Sequence, residues 1–428
     1  KMGSENLLGI CIVGVGYPNL LSGICQRQRL IFMKLYDIAI VGGGAAGLMA
    51  ATRCRSKGLK VIVLEKNREC GKKILITGKG RCNITNISPW REFQTHIHPD
   101  KSFIKNAFYH FSNEDVVSFL EGIGLPCKTE RGNRVFPVSD RSHDVRDTLV
   151  SYLKNSGIEV ACGCEVESVS KSEDNFSIEM AMGQDRGVTI RARRVILATG
   201  GLSYPTTGST GDGYAISQSF GHTIINTFPS LTALRPVEPD SRLEGLLLKN
   251  VRMDLWVNGS VVQSEFGEMQ FTSGGIEGAL GFRVSRKGVK GLINGQKVEV
   301  SIDLKPAVEE GELTKRVEEL ASGMKSPNVI KLLPTLMPSQ MIDSFVESSS
   351  PGLSVNNLAK RLKDWRFKIS GYVGYERAVV TAGMPYGSKN LHYGHVCGMM
   401  VYADFLARFL KNLGPAMKPT DVTKSTRP

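Results

Sequence analysis

Residues 36–66, YDIAIVGGGAAGLMAATRCRSKGLKVIVLEK, constrain the fold more than any other stretch of the chain. An apolar run, Ile38 to Val41, stops at Gly42. Gly42, Gly44 and Gly47 then make G-x-G-x-x-G, and a segment of good helix formers follows from Ala45 to Arg55. A second apolar run, Val61 to Leu64, ends on Glu65. The order is strand, tight turn, helix and parallel strand within about 30 residues, the opening unit of a Rossmann-like sheet. Each part has a physical task. Gly42 permits the turn, Gly44 lets the backbone approach a pyrophosphate, and Gly47 lets the helix pack on the strand. The helix N-terminus offers free N–H groups and a positive dipole end to phosphates. Glu65, about 20 residues on, has the place of an acid that accepts hydrogen bonds from a ribose diol. The context predicts a dinucleotide site.

The chain has 428 residues, enough for two or three domains with their own cores. Its 41% hydrophobic and 22% charged content is that of a soluble globular protein. Nine cysteines at this length are not a disulfide framework, and no C-x-x-C is present to suggest zinc; Cys162 and Cys164 are the nearest pair in sequence. Free thiols in a reducing compartment, the cytoplasm, are expected. The formal charge of +13 agrees with a polyanionic partner such as RNA. It agrees equally with an ordinary basic enzyme whose cofactor phosphates offset part of the charge, and no Lys/Arg run decides between them. Residues 1–32 read as a leader or start-site artefact, with Met33 the natural start. Leu7 to Cys25 is apolar but broken by four glycines and Pro18, so no membrane span is expected.

Along the chain, residues 101–123 predict one helix, with Phe103, Ala107, Phe108 and Phe111 on one face. Ser139 or Asp140 can cap a second helix to about Asn155. Short strands are predicted at 158–162, 164–170, 175–181 and 188–192, and a buried strand at Arg194 to Ala198. A short helix follows at 211–221, then a β-rich segment from about 230 to 300, a helical one from 306 to 365 and strand-like sequence at 371–383. The pattern is α/β, with a discontinuous dinucleotide domain and a second domain inserted near 205–370.

Two further segments carry chemistry. The loop 71–86 places Lys72, Lys73, Lys79 and Arg81 among Gly71, Gly78 and Gly80. Glycines let amides reach a ligand and cations neutralise phosphates. The segment 195–222, VILATGGLSYPTTGSTGDGYAISQSFGH, opens a buried strand into Thr199-Gly200-Gly201, where missing side chains admit a ligand. Asp212 either contacts a ligand hydroxyl or caps the helix that follows. His222 reads as structural.

The chain resembles the BaiN/RdsA-type family of FAD-dependent oxidoreductases, also called aminoacetone-oxidase-like flavoproteins. The resemblance is carried by DIAIVGGGAAGLMAA, CGKKILITGKGRCNITN, VILATGGLSYPTTGSTGDGYAIS and GEMQFTSGGIEGALGFRVSR, spread over about 36 to 383. It implies FAD, a discontinuous Rossmann-like FAD-binding domain over 33–204 and 371–400, and an inserted β-barrel-plus-helices domain over 205–370. It places Gly42, Gly44, Ala45, Ala46, Gly47, Glu65 and Lys66 at the ADP half of FAD. Lys73, Arg81 and Asn83 are implied near the pyrophosphate or flavin, Val166 at the adenine, and Thr199, Gly200 and Gly201 on the returning strand. Arg81, Cys82 and Tyr204 fall in segments expected near the flavin; no catalytic residue is assigned. Two departures stand out. Ser273 follows Phe271-Thr272 where many members have His, so no general acid is placed there. After Gly383 the family's closing pattern is missing, and 401–428 form an atypical tail in which Val401 to Leu413 can form a helix. His392 and His395, in that tail, carry no inferred role.

The resemblance implies hydride transfer from NAD(P)H through FAD to an unsaturated substrate, with the cofactor supplying the chemistry and the protein the orientation. A conjugated small molecule such as a steroid-like enone, uridine in ribosomal RNA, and an oxidisable amine are the open substrates. No second G-x-G-x-x-G follows a strand, so no separate NAD(P)H domain is expected. The alternative is a non-catalytic or damaged relative that binds nucleotide weakly, motivated by the altered C-terminus.

Overall fold

The structure is a computed structural model that describes residues 34–54, 58–97, 101–324, 328–349, 352–383 and 385–386. Expectations for residues 1–33, the helix at 401–413, His392 and His395 lie outside the described residues.

The first half of the chain is built on a six-stranded sheet. Its strands are β1 (Leu35–Val41), β2 (Val61–Glu65), β3 (Glu159–Cys162), β4 (Cys164–Lys171), β5 (Phe176–Met182) and β6 (Asp185–Leu197), in the order β3-β2-β1-β6-β5-β4. β1 is parallel to β2 on one side and to β6 on the other, with Ile38 opposite Val61 and Ile40 opposite Ile196. A central parallel strand is covered on both faces, which is why β1 is nearly all apolar and Ile38, Ala39 and Ile40 are fully buried. Helix α1 (Ala45–Cys54) and helix α2 (Ser142–Asn155) cover one face through Leu48, Met49, Val145, Leu149 and Leu153. The antiparallel β4-β5-β6 meander closes the other with Ile178, Met180 and Ile190.

The second half is a closed six-stranded barrel: β7 (Leu234–Pro236), β8 (Leu247–Val257), β9 (Ser260–Thr272), β10 (Gly275–Glu277), β11 (Val298–Asp303) and β12 (Trp365–Tyr372), in the order β7-β10-β9-β8-β11-β12. Helix α3 (Gly278–Ile293) seals it with Leu280, Val284 and Val289, all fully buried. The helices between β11 and β12 pack on the same core through Leu313, Val317, Leu333, Phe345 and Leu358. The chain then returns: Val380–Ala382 pairs antiparallel with Phe228–Ser230, and Pro385–Tyr386 with Thr223–Ile224. The Rossmann-like and barrel-plus-helices architecture agrees with the expected fold class.

Three local expectations need correction. The single helix at 101–123 is two, Ser102–His110 and Asn113–Gly122. Phe111 is extended, and Ser112 with Asp115 forms a capping box that starts the second helix anew. The strands at 188–192 and 194–198 are one, β6, because the alternation runs on through 190–193, with Ile190 and Ala192 buried while Arg191 and Arg193 are exposed. The segment read as β-rich to 300 contains α3, disguised by Gly278, Gly281, Gly288 and Gly291. Those glycines buy close packing: a Cβ on Gly281 would lie 2.9 Å from the Ile276 carbonyl oxygen, and one on Gly291 3.0 Å from Val298.

Candidate dinucleotide-binding site

The neighbours of β1 are connected in opposite directions, so a crevice opens beyond the carboxyl ends of β1 and β6. A cavity of about 640 Å³ occupies it. Gly42, at φ +105°, turns the chain there; a Cβ on it would stand 2.5 Å from the Ala198 carbonyl oxygen. A Cβ on Gly47 would overlap the carbonyl oxygen of Gly42, so this glycine lets α1 lie against β1. Gly44 is different. A Cβ on it would meet nothing within 4 Å, and Gly44 lines the cavity. The first helical bond runs from Leu48 N–H to the Gly44 carbonyl, at 2.9 Å. The N–H groups of the first turn before it have no partner within the helix, as at any helix start.

Glu65 ends β2 inside the crevice, 7% exposed. Its carboxylate accepts from the Gly43 N–H at 2.8 Å and from the Asn67 N–H and Nδ2 at 2.8 and 2.7 Å. These bonds aim the carboxylate and tie β2 to the glycine turn, and lone-pair capacity remains on Oε2, which accepts only the Gly43 N–H. Lys66 donates to Thr210 at 2.5 Å and to Asp212 at 2.6 Å. Asp212 is thus not a side-chain cap: Gly211 is the cap residue, and Asp212 sits in the first turn, held by Lys66, on the lining of the cavity.

The opposite wall comes from the loop after β6. Gly200 has φ +77°, and a Cβ there would lie 2.7 Å from the Ser209 hydroxyl. Lys73 Nζ donates to the Ser203 carbonyl and the Ser209 hydroxyl, both at 2.7 Å, and so bridges the glycine-lysine loop to this wall. The hydroxyl of Thr381, from the returning strand, accepts from the N–H groups of Leu202 and Ser203 at 2.8 and 3.0 Å. Tyr204 is held in the left-handed region at φ 51°, its N–H bonded to the Tyr375 carbonyl at 2.8 Å.

Of the residues the sequence singled out, Gly42, Gly44, Ala45, Ala46, Glu65, Lys66, Lys73, Asn83, Val166, Thr199, Gly200 and Gly201 all line this one cavity. Cys82 and Tyr204 line it too. Gly47 and Arg81 do not. Arg81 differs for a clear reason: its guanidinium is paired with Glu130 and Asp140 and lies 4.2 Å over the ring of Phe136, which belongs to a small three-stranded sheet of Thr85–Asn86, Arg134–Pro137 and Cys127–Glu130. Ser273 is exposed in the turn between β9 and β10, and His222 is buried behind the helix that Asp212 begins.

Sequence reasoning missed Thr381, Asn67 and Ser209, which hold the walls together, and Phe282, which α3 sends into the cavity. It also missed a thiol pair. Cys70 and Cys162 lie 92 residues apart, yet their sulfurs are 3.8 Å apart beside Glu65. Hydrogen bonding to Cys70 holds Cys162 below the usual thiol range, while that bond and burial push Cys70 up. Burial pushes Cys164 up to about 12. Among the described residues no group of acids, cysteines and histidines suits a metal, and no helix is long and apolar enough to cross a membrane.

Comparison with known proteins agrees over most of the chain. Residues 36–295 match the profile described as the HI0933-like protein Rossmann domain, and 228–380 the HI0933-like protein barrel and H2TH domain. A 3-dehydro-bile acid delta(4,6)-reductase of Clostridium scindens is 32% identical over 81% of this chain and 86% of its own length. A ribosomal RNA dihydrouridine synthase of Escherichia coli is 27% identical over 82% of this chain and 86% of its own. The Haemophilus influenzae protein of that name is 26% identical over 86% of this chain and 91% of its own.

Proposed function

The chain belongs to the HI0933-like, BaiN/RdsA-type family of flavoprotein oxidoreductases, and on that premise we propose that it binds FAD in the crevice cavity and reduces an unsaturated substrate. The observation that carries the reading is Gly44, whose missing side chain opens onto the cavity at the start of α1, with the Glu65 carboxylate fixed behind the same turn. A Cβ at that glycine would fill the space a pyrophosphate needs.

In this reading Gly42, Gly44, Ala45 and Ala46 present backbone to the pyrophosphate. Glu65 and Lys66 face the adenosine ribose, and Val166 flanks the adenine. Lys73, Asn83, Thr199, Gly200 and Gly201 surround the flavin half, while Gly47 acts through packing. Arg81 is left to the neighbouring sheet. FAD when bound would supply the hydride chemistry, taking it from NAD(P)H and passing it to a conjugated double bond. The chain's own work is to hold the cofactor, exclude water and orient the substrate. The division into 33–204 with 371–400 and an insert at 205–370, and a cytoplasmic location, belong to the same proposal.

The substrate is either a small conjugated molecule or uridine within ribosomal RNA, the two classes named for the relatives. The two share a feature: a bile acid and an RNA both join an unsaturated ring to an anionic group. The formal charge of +13 suits either.

The test is the visible spectrum of the purified protein, with the released cofactor identified after denaturation. Stoichiometric FAD that NAD(P)H bleaches without oxygen is the expected result. A folded, colourless protein that takes up no added FAD would overturn the reading and favour a non-catalytic relative.

A further inference from the structure

Helix α3 carries two kinds of surface. One arc, Leu280, Val284, Ser285, Gly288 and Val289, is buried in the barrel. The opposite flank holds Phe282, Arg286 and Lys290, spaced i, i+4 and i+8, so that they follow one another along one side of the helix. Phe282 lines the cavity beside Val380 and Thr381. The next residue on that flank, Arg286, lies one turn beyond Phe282 and outside the residues that line the cavity; it is half-buried and has no charged partner among the described residues. Its neighbours are already used: Arg283 pairs with Glu265 at 3.2 Å, and Lys287 donates to the Val262 carbonyl at 2.8 Å. Burial holds the Arg286 pKa below the usual guanidinium value. A guanidinium drawn from water without a carboxylate is costly unless something anionic meets it. Shielding of apolar surface by its stem is the ordinary alternative.

We propose that Phe282 and Arg286 form the substrate subsite of this protein: a flat conjugated ring packs on Phe282, and an anionic oxygen group of the same molecule, carboxylate or phosphate, binds the Arg286 guanidinium one helical turn away. The inference rests on the flavin-reductase reading and adds to it the residues that select the substrate. The planar fork of arginine suits both oxyanions, and the aromatic face accepts any flat ring. The distance between the two side chains, set by an i, i+4 spacing, requires ring and anion to belong to one small ligand or one nucleotide unit.

The test uses the flavin-loaded full chain as wild type, R286Q, R286K and F282L. Flavin content and anaerobic bleaching by NADPH are measured first and are expected to match wild type in R286Q and R286K; F282L, whose side chain lines the flavin cavity, is compared per bound flavin. Binding is then read from the shift of the flavin spectrum with four probes. These are a 3-oxo-4,6-diene steroid carboxylate, its methyl ester, a uridine-containing RNA oligonucleotide and its methylphosphonate counterpart. The charged probe that wild type binds identifies the source of the anion. R286Q is expected to weaken that probe at least about tenfold while leaving its neutral counterpart unchanged, and R286K to recover part of the loss. F282L weakens charged and neutral forms alike. Equal loss of both forms in R286Q, or no loss, overturns the proposal, as does a flavin-loaded wild type that binds neither charged probe. A wild type that holds no flavin overturns the earlier reading, and this one with it.

Discussion

The two walls of the cavity are built in opposite ways. The near wall, Gly42 to Gly47 with Glu65, comes from one strand-turn-helix-strand unit; the Gly43 N–H donates to Glu65, 22 residues on, and the Gly43 carbonyl accepts from the Gly71 N–H just beyond that unit. The far wall, Thr199 to Ser209, is fixed by partners 130, 136 and 178 residues away: Lys73 on one side and Thr381 on the other. The near wall is therefore set by local backbone geometry. The far wall exists only once the barrel has folded and the chain has come back to it.

The largest effects should break the near wall, and they should separate its glycines by role. Gly47→Val places atoms inside the Gly42 carbonyl and the Ile40 side chain. It is expected to cost ~4 kcal/mol or more, seen as a collapse of Tm and loss of soluble protein. Gly44→Val meets no protein atom with its Cβ. It should fold with a Tm near that of the cofactor-free wild type yet retain no flavin. If both variants unfold, or both keep flavin, the packing and cradle roles assigned here are mistaken.

A smaller effect should sharpen the comparison at the far wall. Thr381→Val keeps the volume and removes the acceptor for two amides, at a site 7% exposed. Each amide left unsatisfied costs about 1–3 kcal/mol. The expected outcome is weakened FAD retention with most of the Rossmann sheet intact, measured as cofactor dissociation alongside hydrogen exchange of β1 and β2. Loss of protection in β1 to the same degree as at 202–203 would show that the walls are not independent.

Legibility followed the same division. The glycine turn, strand β1 and Glu65 could be read because all three fall within one strand-turn-helix-strand unit, and a glycine that must be glycine leaves a visible mark. Lys73 was legible as a cation in a glycine-rich loop, though its bridge to Ser203 and Ser209 was not. Arg81 looked equivalent to Lys73 in the same loop. Only the folded sheet, with Glu130, Asp140 and Phe136 beneath it, shows that its charge is already satisfied. Thr381 and Phe282 are an ordinary threonine and phenylalanine in sequence; their roles come from closure of the chain around the barrel. The helix carrying Phe282 was hidden by its own glycines, which serve packing and mimic turn signals.

The smallest effect probes a seam behind the near wall, where Cys70 and Cys162 meet. Cys162 is half-buried and its thiolate is favoured by the hydrogen bond with Cys70, whereas Cys70, Cys82 and Cys164 are buried and pushed up. Only the thiolate is alkylated, so labelling accelerates as pH rises through each pKa. Among the described cysteines, iodoacetamide at neutral pH should therefore mark Cys162 first, read by peptide mass spectrometry, with little change in Tm. Cys70→Ala removes the donor that sets the lowered value, so the labelling profile of Cys162 should move to higher pH. Labelling of Cys164 ahead of Cys162, or a profile that Cys70→Ala leaves in place, would mean the two sulfurs do not share a hydrogen bond, and that the contact between Cys70 and the end of β3 is packing alone.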